Sequence, residues 1–151
     1  MLQSLQDFWA WAEITPEEYA KNGIDLLSEK APFNYPNFDF LIEYCCESIQ
    51  KDFLTDKEID DILTIMALDN ETQDVLDMLE KKLPQQFEQR LIHIGLKHLQ
   101  HEARWQLAEL IYRRQPEGYE KYLRILAKDE HAYVQKRAKN ALSYLGLSLK
   151  E

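Results

Sequence analysis

Apolar residues recur at spacings of three and four along nearly the whole chain, which is the period of an amphipathic helix. The clearest run contains Ile59, Ile62, Leu63 and Met66, which share one helical face. No segment alternates apolar and polar residues over several positions, as a half-buried strand would. The pattern therefore predicts an all-α chain of eight or nine helices joined by short connectors, folded as a single domain over residues 1–151.

Helix boundaries are indicated most clearly at two capping motifs. Thr15-Pro16-Glu17-Glu18 and Thr55-Asp56-Lys57-Glu58 each place a threonine three residues before a glutamate, which is the capping-box pattern. We expect the first of these helices to extend to about Leu27 unless Asn22-Gly23 interrupts it. Residues 31–37 contain two prolines and two asparagines and therefore predict a loop. Other helices are expected over residues 2–12, 38–52 and 85–99, from Tyr119 to Leu126, and from Val134 to Gly146. Two further helices are expected to end at Pro84 and at Pro116.

The C-terminal half contains an internal repeat. Each repeated helix follows another helix across a short polar turn, and repeated helical hairpins of this length are typical of a solenoid, in which neighbouring units bury one another. A shift of 31 residues places Ala103 on Val134, Leu107 on Ala138, Leu110 on Ala141, and Ile111 on Leu142.

Residues 125–145 resemble a HEAT repeat. In the family pattern, one helix ends in apolar residues, an aspartate marks the turn, and the next helix carries Val-Arg, then Ala, then Ala-Leu, then Leu. This chain matches that pattern at Asp129, Val134, Ala138, Ala141, Leu142 and Leu145. It departs from the family at Gln135, where arginine is usual, although the preceding unit keeps Arg104. The resemblance covers two repeats within residues 85–146. It implies a short right-handed α-solenoid of antiparallel helix pairs that binds protein on its concave face, with an irregular helical bundle as the alternative.

Charge is distributed unevenly along the chain, whose formal net charge is −9. Residues 1–83 contain 19 acidic and 6 basic residues, a net charge of −13, while residues 84–151 contain 8 acidic and 12 basic residues, a net charge of +4. This balance disfavours binding to nucleic acid and to anionic membranes. An acidic surface of this strength suits a basic protein partner, although acidity also serves solubility alone.

Few residues form a pattern that suggests catalysis. Cys45 and Cys46 have acidic neighbours, which disfavour a thiolate, and we expect them to be small buried residues. Four scattered glycines build no phosphate-binding loop. We therefore expect no cofactor, no metal and no enzymatic activity. Four residues of types that can bind metal ions lie close together around a predicted turn: His93, His98, His101 and Glu102. We expect them to cap the turn and not to bind a metal.

The sequence contains no membrane or export signal that we recognise. No stretch reaches 18 apolar residues, and the N-terminal residues lack the basic and apolar regions of a signal peptide. Two adjacent cysteines do not make a disulfide framework. We therefore expect a cytoplasmic protein, monomeric on its own.

Carboxylates and aromatic residues together form the candidate interface. Residues 52–80 contain ten acidic residues against Lys57 alone, and the adjoining loop over 31–37 carries two aromatic residues. A second set lies on the side of a helix opposite its core stripe, although Trp105 is equally explained by packing on a neighbouring helix. The predicted partner-binding residues are Phe33, Tyr35, Asp56, Asp60, Asp61, Asp74, Asp77, Trp105, Glu109 and Tyr112.

These observations favour a non-enzymatic protein-binding module. The chain is similar in size, acidity and expected fold to bacterial immunity proteins, which implies a basic toxin domain, such as a nuclease, as the partner. A small assembly or chaperone factor would have the same features. The alternative from another class is a HEAT-like DNA glycosylase, for which the C-terminal half offers aromatic and basic residues: Trp105, Tyr112, Arg104, Arg113, Arg114, Lys136 and Lys139.

Overall fold

The computed structural model describes residues 2–150 and is all-helical over that range, as predicted. Within it lie nine α-helices, one 3-10 turn at Pro32–Asn34 and no strand. The helices are α1 (Gln3–Ala12), α2 (Pro16–Asn22), α3 (Phe38–Ser48), α4 (Asp56–Leu68), α5 (Asp74–Lys82), α6 (Gln85–Leu96), α7 (His101–Arg114), α8 (Tyr119–Leu126) and α9 (Ala132–Tyr144).

Both predicted capping motifs begin helices. Thr15 Oγ1 accepts a hydrogen bond from the Glu18 backbone N–H at 3.1 Å, and the Thr15 N–H donates to Glu18 Oε2 at 2.9 Å, which completes a capping box. Thr55 Oγ1 likewise accepts from the Glu58 N–H at 3.1 Å. Helix α2 ends at Asn22 and does not reach residue 27, because Gly23 adopts a positive φ of 65° that leaves the helical region.

Two helices end earlier than the apolar pattern predicts. Helix α6 stops at Leu96 because His98 leaves the helix and bonds through its ring to Thr64 and to the Gln100 backbone. Helix α3 stops at Ser48, and the chain then turns so that Leu54 is completely buried. After α3 the apolar spacing continues past the helix end because Ile49 and Leu54 also belong to the core, whereas after α6 Leu99 is 51% exposed.

Helix α7 is the centre of the C-terminal part of the fold. It packs against α4, α5, α6, α8 and α9, and it is buried on nearly every side. Gly95 of α6 permits a close approach to α7, since a β-carbon there would lie 2.8 Å from Leu107 Cδ2. The polar face expected for α7 is therefore covered by neighbouring helices.

An aromatic cluster joins the N-terminal helix to the loop over 31–37. The ring of Tyr35 lies 5.4 Å from that of Phe8 and 5.3 Å from that of Trp11, measured between ring centres. Phe8 also meets Trp9 edge-on at 4.9 Å. These contacts hold the loop against α1, and they fix the wall of the pocket described next.

Candidate functional site

The structure separates the ten predicted partner-binding residues into three groups. One group shares a concave pocket beside the loop over 31–37, a second lies at a smaller pocket near His98, and the third is engaged in contacts within the chain. The first group contains Phe33, Tyr35 and Asp74; the second contains Asp60 and Asp61; the third contains Asp56, Asp77, Trp105, Glu109 and Tyr112.

The first pocket, here called the acidic pocket, has a volume of about 300 Å³. It lies between the 3-10 turn with the start of α3 on one side and the α4–α5 connection on the other. Four carboxylates line it, and no lysine, arginine or histidine does so among residues 2–150. The acidic lining residues are Asp39, Asp69, Glu71 and Asp74, and the apolar and aromatic ones are Phe33, Tyr35, Pro36, Phe38, Ile42 and Leu68.

Asp69 builds one wall of the acidic pocket. Its Oδ2 accepts a hydrogen bond from the Val75 N–H at 2.9 Å, and its Oδ1 accepts from the Thr72 hydroxyl at 2.6 Å. Burial raises the pKa of Asp69 above its ordinary value, while these hydrogen bonds act in the opposite direction. Asp69 therefore holds the turn that presents Glu71 and Asp74 to the pocket.

The two predicted aromatic anchors differ in exposure. Phe33 is 51% exposed and is free to contact a partner. Tyr35 is only 7% exposed, because its ring packs on Phe8 and Trp11, so it forms the wall of the pocket and is not a surface anchor.

Three of the four carboxylates of the acidic pocket keep their charge available. Asp39, Glu71 and Asp74 are exposed, and within residues 2–150 no basic group lies within 4.0 Å of any of them. A concave site lined by one sign of charge concentrates the field and attracts ions of the opposite sign. The sequence analysis did not predict Asp39 as a site residue because it lies outside the acidic stretch over residues 52–80. It does lie directly after Phe38, which follows the loop over 31–37.

The two predicted residues of the second group, Asp60 and Asp61, differ in how deeply they are buried. Asp60 remains half-exposed, with its Oδ1 3.5 Å from His98 Nε2. Asp61 is buried, with its Oδ1 3.9 Å from Lys57 Nζ. Burial raises the pKa of Asp61, and the charge of Lys57 partly offsets that effect. Asp61 is thus not an open surface carboxylate, contrary to its expected place in a broad acidic face.

The third group is neutralised or covered inside the molecule. Asp56 pairs with Arg90 at 2.7 Å, and Asp77 pairs with Arg113 at 2.9 Å. The same guanidinium of Arg113 also meets Glu109 at 3.1 Å. The basic C-terminal half therefore supplies counter-charges to part of the acidic N-terminal half, so the free acidic surface is smaller than the sequence suggests.

Trp105 does not line an open concave face. It is 6% exposed, the Arg137 guanidinium lies 4.5 Å from its ring centre, and Tyr133 meets it edge-on at 5.5 Å. Tyr112 is half-buried, with its ring 5.8 Å from that of Tyr144. The expected aromatic binding face of α7 is instead a packing face against α9.

His98 has the turn and capping role expected for the histidine cluster, and His101 has a packing contact. His98 Nδ1 accepts a hydrogen bond from the Gln100 N–H at 3.0 Å. His101 stacks on His131 with ring centres 3.8 Å apart, a contact that the sequence did not indicate. Within residues 2–150 no group of three or more histidine, cysteine, aspartate or glutamate side chains is placed to hold a metal ion.

Of the two cysteines expected to be buried, only Cys45 is fully so, and Cys46 is half-buried. Cys45 is completely buried, and burial raises the pKa of its thiol well above the ordinary value, which disfavours the nucleophilic thiolate. Both cysteines are free thiols. Over the described residues, every helix is too short or too polar to cross a membrane.

Comparison with known proteins identifies no family. The chain matches no protein-family model, and searches of curated proteins and of solved structures likewise find no match. The resemblance to HEAT repeats therefore stays a prediction from the residues between 85 and 146. What the chain binds has to be argued from the geometry and charge of its pockets.

Proposed function

We propose that the chain is a non-enzymatic binding module whose acidic pocket receives a basic side chain from a protein partner. The supporting observation is the pocket itself, in which four carboxylates converge with no basic residue lining it among residues 2–150. The exposed ring of Phe33 lies at the same pocket and offers apolar contact area beside the charges. A basic side chain can donate to the carboxylates and lie on the aromatic face at the same time.

Arginine fits this pocket better than lysine does. A guanidinium donates two parallel hydrogen bonds to one carboxylate and stacks on an aromatic face, whereas an ammonium is a compact, strongly hydrated charge. Asp39, Glu71 and Asp74 supply exposed carboxylates, and Phe33 supplies the ring. We therefore propose a partner that presents arginine at the centre of its interface.

The most concrete form of this function is an immunity protein that neutralises a basic toxin nuclease domain. The net charge of −9 and the unneutralised acidic pocket support it, because acidic side chains can occupy a cleft built for phosphate. Small assembly and chaperone factors have the same physical requirements. The identity of the partner distinguishes them.

The proposed scaffold is a short α-solenoid of HEAT-like helix pairs. Helices α7 and α9, which occupy equivalent positions of the 31-residue repeat, pack against one another. Further up the chain, α3 contacts α5, α4 contacts α6, and α5 contacts α7. Contacts between every second helix are what stacked helical hairpins require, and they support this arrangement.

The three arginines that suggested a DNA-modifying enzyme give it no support, whereas Lys136 and Lys139 are exposed. Arg104 pairs with Asp129, Arg113 pairs with Asp77, and Arg114 pairs with Glu88. A phosphate-binding groove needs free cations, whereas these guanidiniums are held by carboxylates of the same chain.

The proposal is tested by comparing two triple variants that remove the same number of charges. One variant carries Asp39→Asn, Glu71→Gln and Asp74→Asn in the acidic pocket. The control variant carries Glu13→Gln, Glu29→Gln and Glu117→Gln, all at exposed positions outside that pocket. Each is used to capture partners from a lysate of the source cells at low and at high salt.

A basic protein that binds the parent and the control, but not the acidic-pocket variant, supports the proposal. Association with the acidic-pocket variant is expected to be slower by about an order of magnitude at low salt. Equal capture by all three proteins would show that the partner does not use the acidic pocket.

A further inference from the structure

A second pocket lies between α1, the start of α2, α4 and the segment that joins α6 to α7. It encloses about 160 Å³, and we call it the Trp9 pocket. Leu5, Trp9 and Thr64 are buried in its wall, while Glu17 and Leu99 are exposed and mark its mouth. It shares no lining residue with the acidic pocket.

Two buried polar atoms belonging to residues of this pocket have no hydrogen-bond partner. They are Trp9 Nε1, a donor, and Gln100 Oε1, an acceptor. Trp9 is 6% exposed and Gln100 is 1% exposed, so both side chains are shielded from bulk solvent. The Gln100 amide is held in place by its Nε2, which donates to the Pro16 carbonyl at 2.9 Å. Folded proteins rarely leave such groups unpaired, and an unpaired donor with an acceptor in one pocket points to a ligand that bonds to both.

The other polar groups of the pocket are already arranged by one another. His98 Nδ1 accepts from the Gln100 N–H, so the ring proton is on Nε2 and is donated to Thr64 Oγ1 at 3.0 Å. The Thr64 hydroxyl in turn donates to the Asp60 carbonyl at 2.9 Å. Burial lowers the pKa of His98, which keeps the ring neutral. His98 and Thr64 therefore shape the pocket, while Trp9 Nε1 and Gln100 Oε1 are left without a hydrogen-bond partner.

The charge of the Trp9 pocket is negative. Glu17, Asp60 and Asp61 line it. The ring Nε2 of His98, also in the lining, lies 3.5 Å from Asp60 Oδ1, and Lys57 Nζ lies 3.9 Å from Asp61 Oδ1 but outside the lining. Asp60 is half-exposed and has room to accept hydrogen bonds. An anionic ligand would be repelled by these carboxylates, whereas an ammonium ion would be attracted.

We propose that the Trp9 pocket binds a small organic ammonium ion that also carries a hydroxyl or carbonyl oxygen. The ammonium group donates to Asp60 and to Gln100 Oε1, and the oxygen of the ligand accepts from Trp9 Nε1. The volume is below the range of drug-sized pockets, roughly 300–1,000 Å³, so the ligand has only a few heavy atoms. The inference does not depend on the proposed protein partner, since it uses a different pocket and different residues.

The test follows the indole N–H signal of Trp9 by NMR in the ¹⁵N-labelled full chain. Trp9→Phe assigns the signal, and the indole signals of Trp11 and Trp105 serve as internal controls because neither residue lines this pocket. Three probes of similar size are titrated: ethanolammonium, which has both groups; propylammonium, which lacks the oxygen; and propionate, which carries the opposite charge.

Saturable movement of the Trp9 signal with ethanolammonium, at an affinity about tenfold higher than with propylammonium and with no response to propionate, supports the proposal. No saturable shift with ethanolammonium would overturn it, as would an equal response to propionate. Nα-acetyl-lysine amide is titrated as a fourth probe, because a lysine side chain offers the same ammonium group. Saturable binding of that probe alone would overturn a free small ligand and would assign the pocket to a protein partner.

Asp60→Asn provides the second test, since this half-exposed residue can be changed without opening the core. The variant is expected to bind ethanolammonium about tenfold more weakly, because one charge-assisted hydrogen bond is lost. Asp74→Asn, which removes the same charge from the acidic pocket, is the matched control and should bind as the parent does. If both substitutions weaken binding equally, the effect is one of general charge and the proposed site is wrong.

Discussion

The guanidinium of Arg137 lies 4.5 Å from the ring centre of Trp105 and, through Nη2, 3.0 Å from Glu109 Oε2. One residue of α9 thus covers two residues of α7 that the sequence places on an open binding face. Cation–π contact and an ion pair act together here, because the guanidinium is planar and has donors on more than one edge. The face between α7 and α9 is closed by this arrangement.

Removing that cover should expose the indole. Arg137→Ala is expected to shift the fluorescence maximum of the protein to longer wavelength and to lower the free energy of unfolding by about 1 kcal/mol. Lys139→Ala, which removes a charge from an exposed position of the same helix, is the control. An unchanged emission maximum for Arg137→Ala would mean that Tyr133 and the helix packing cover Trp105 without the guanidinium.

The close approach of α6 and α7 gives a second prediction. In Gly95→Ala the new methyl group would meet the completely buried Leu107 at 2.8 Å. We expect a loss of about 1–3 kcal/mol in urea unfolding, although alanine is by itself the better helix former.

A double-mutant cycle that combines Gly95→Ala with Leu107→Ala identifies the cause of this loss of stability. If steric overlap with Leu107 is responsible, the double variant Gly95→Ala/Leu107→Ala should be more stable than the sum of the two single effects predicts. Simple additivity would show that the methyl group is accommodated elsewhere.

Local signals account for the parts of the fold that the sequence predicted. Thr15 and Thr55 begin helices because their hydroxyls bond to backbone groups three residues away, so the relevant contacts are readable from spacing alone. The burial of Tyr35, Asp61 and Trp105 depends on residues distant in sequence. Tyr35 meets Phe8, and Trp105 meets Arg137, and no pattern within a single helix shows either contact.

The sequence predicted part of the candidate site in the same way. The acidic stretch and the neighbouring aromatic loop were visible in the sequence, and Phe33, Tyr35 and Asp74 do share one pocket. The sequence did not show which carboxylates stay free, because the basic partners Arg90 and Arg113 lie more than 30 residues away along the chain. Charge counts thus overestimate an acidic surface whenever the counter-charges come from another part of the fold.

The turn before α5 gives a third prediction. Asp69→Ala removes the acceptor of both the Val75 N–H and the Thr72 hydroxyl, and it should lower the free energy of unfolding by about 1–2 kcal/mol. Asp69→Asn retains one acceptor oxygen and should cost less. Urea unfolding of the two variants measures the difference, and equal stability of all three proteins would show that the turn holds without this side chain.

Glu102 gives a prediction about pH. Burial raises the pKa of this carboxyl from 4.5 to about 7, so the folded state prefers the neutral form. Its contribution to stability is fully present below pH 4.5 and is lost as the pH rises toward 7. Glu102→Gln should therefore be more stable than the parent at pH 8, by on the order of 1 kcal/mol, and the advantage should vanish near pH 4.

Thermal unfolding across this pH range measures the effect, and the exposed Glu117→Gln serves as the control. The neighbouring His101 acts in the opposite direction, since burial, together with the charges of His131 and Arg104, lowers its pKa to about 4. Its contribution is present above pH 6.5 and is lost as the pH falls toward 4. The comparison is therefore made between variant and parent at each pH. A Glu102→Gln variant less stable than the parent at pH 8 would contradict the prediction.

Arg104 carries the last prediction because it joins three segments of chain. Its Nε and Nη2 donate to the two oxygens of Asp129 at 2.8 and 3.1 Å, and its Nη1 donates to the carbonyls of His98 and Leu99 at 2.6 and 3.2 Å. In the next repeat the equivalent residue is Gln135, whose Nε2 donates to the Asp129 carbonyl at 2.6 Å. Both residues therefore secure the same turn, one from each side.

Arg104→Ala leaves a buried carboxylate and two carbonyls without their donor, so we expect a loss of about 3 kcal/mol or more. Arg104→Lys keeps the charge but cannot make the two-point contact, and it should recover only part of that stability. Gln135→Ala removes a single neutral bond and should cost about 1 kcal/mol. Urea unfolding of the three variants measures this order. Equal stability of Arg104→Lys and the parent would show that charge alone, and not the geometry of the guanidinium, holds the turn at Asp129.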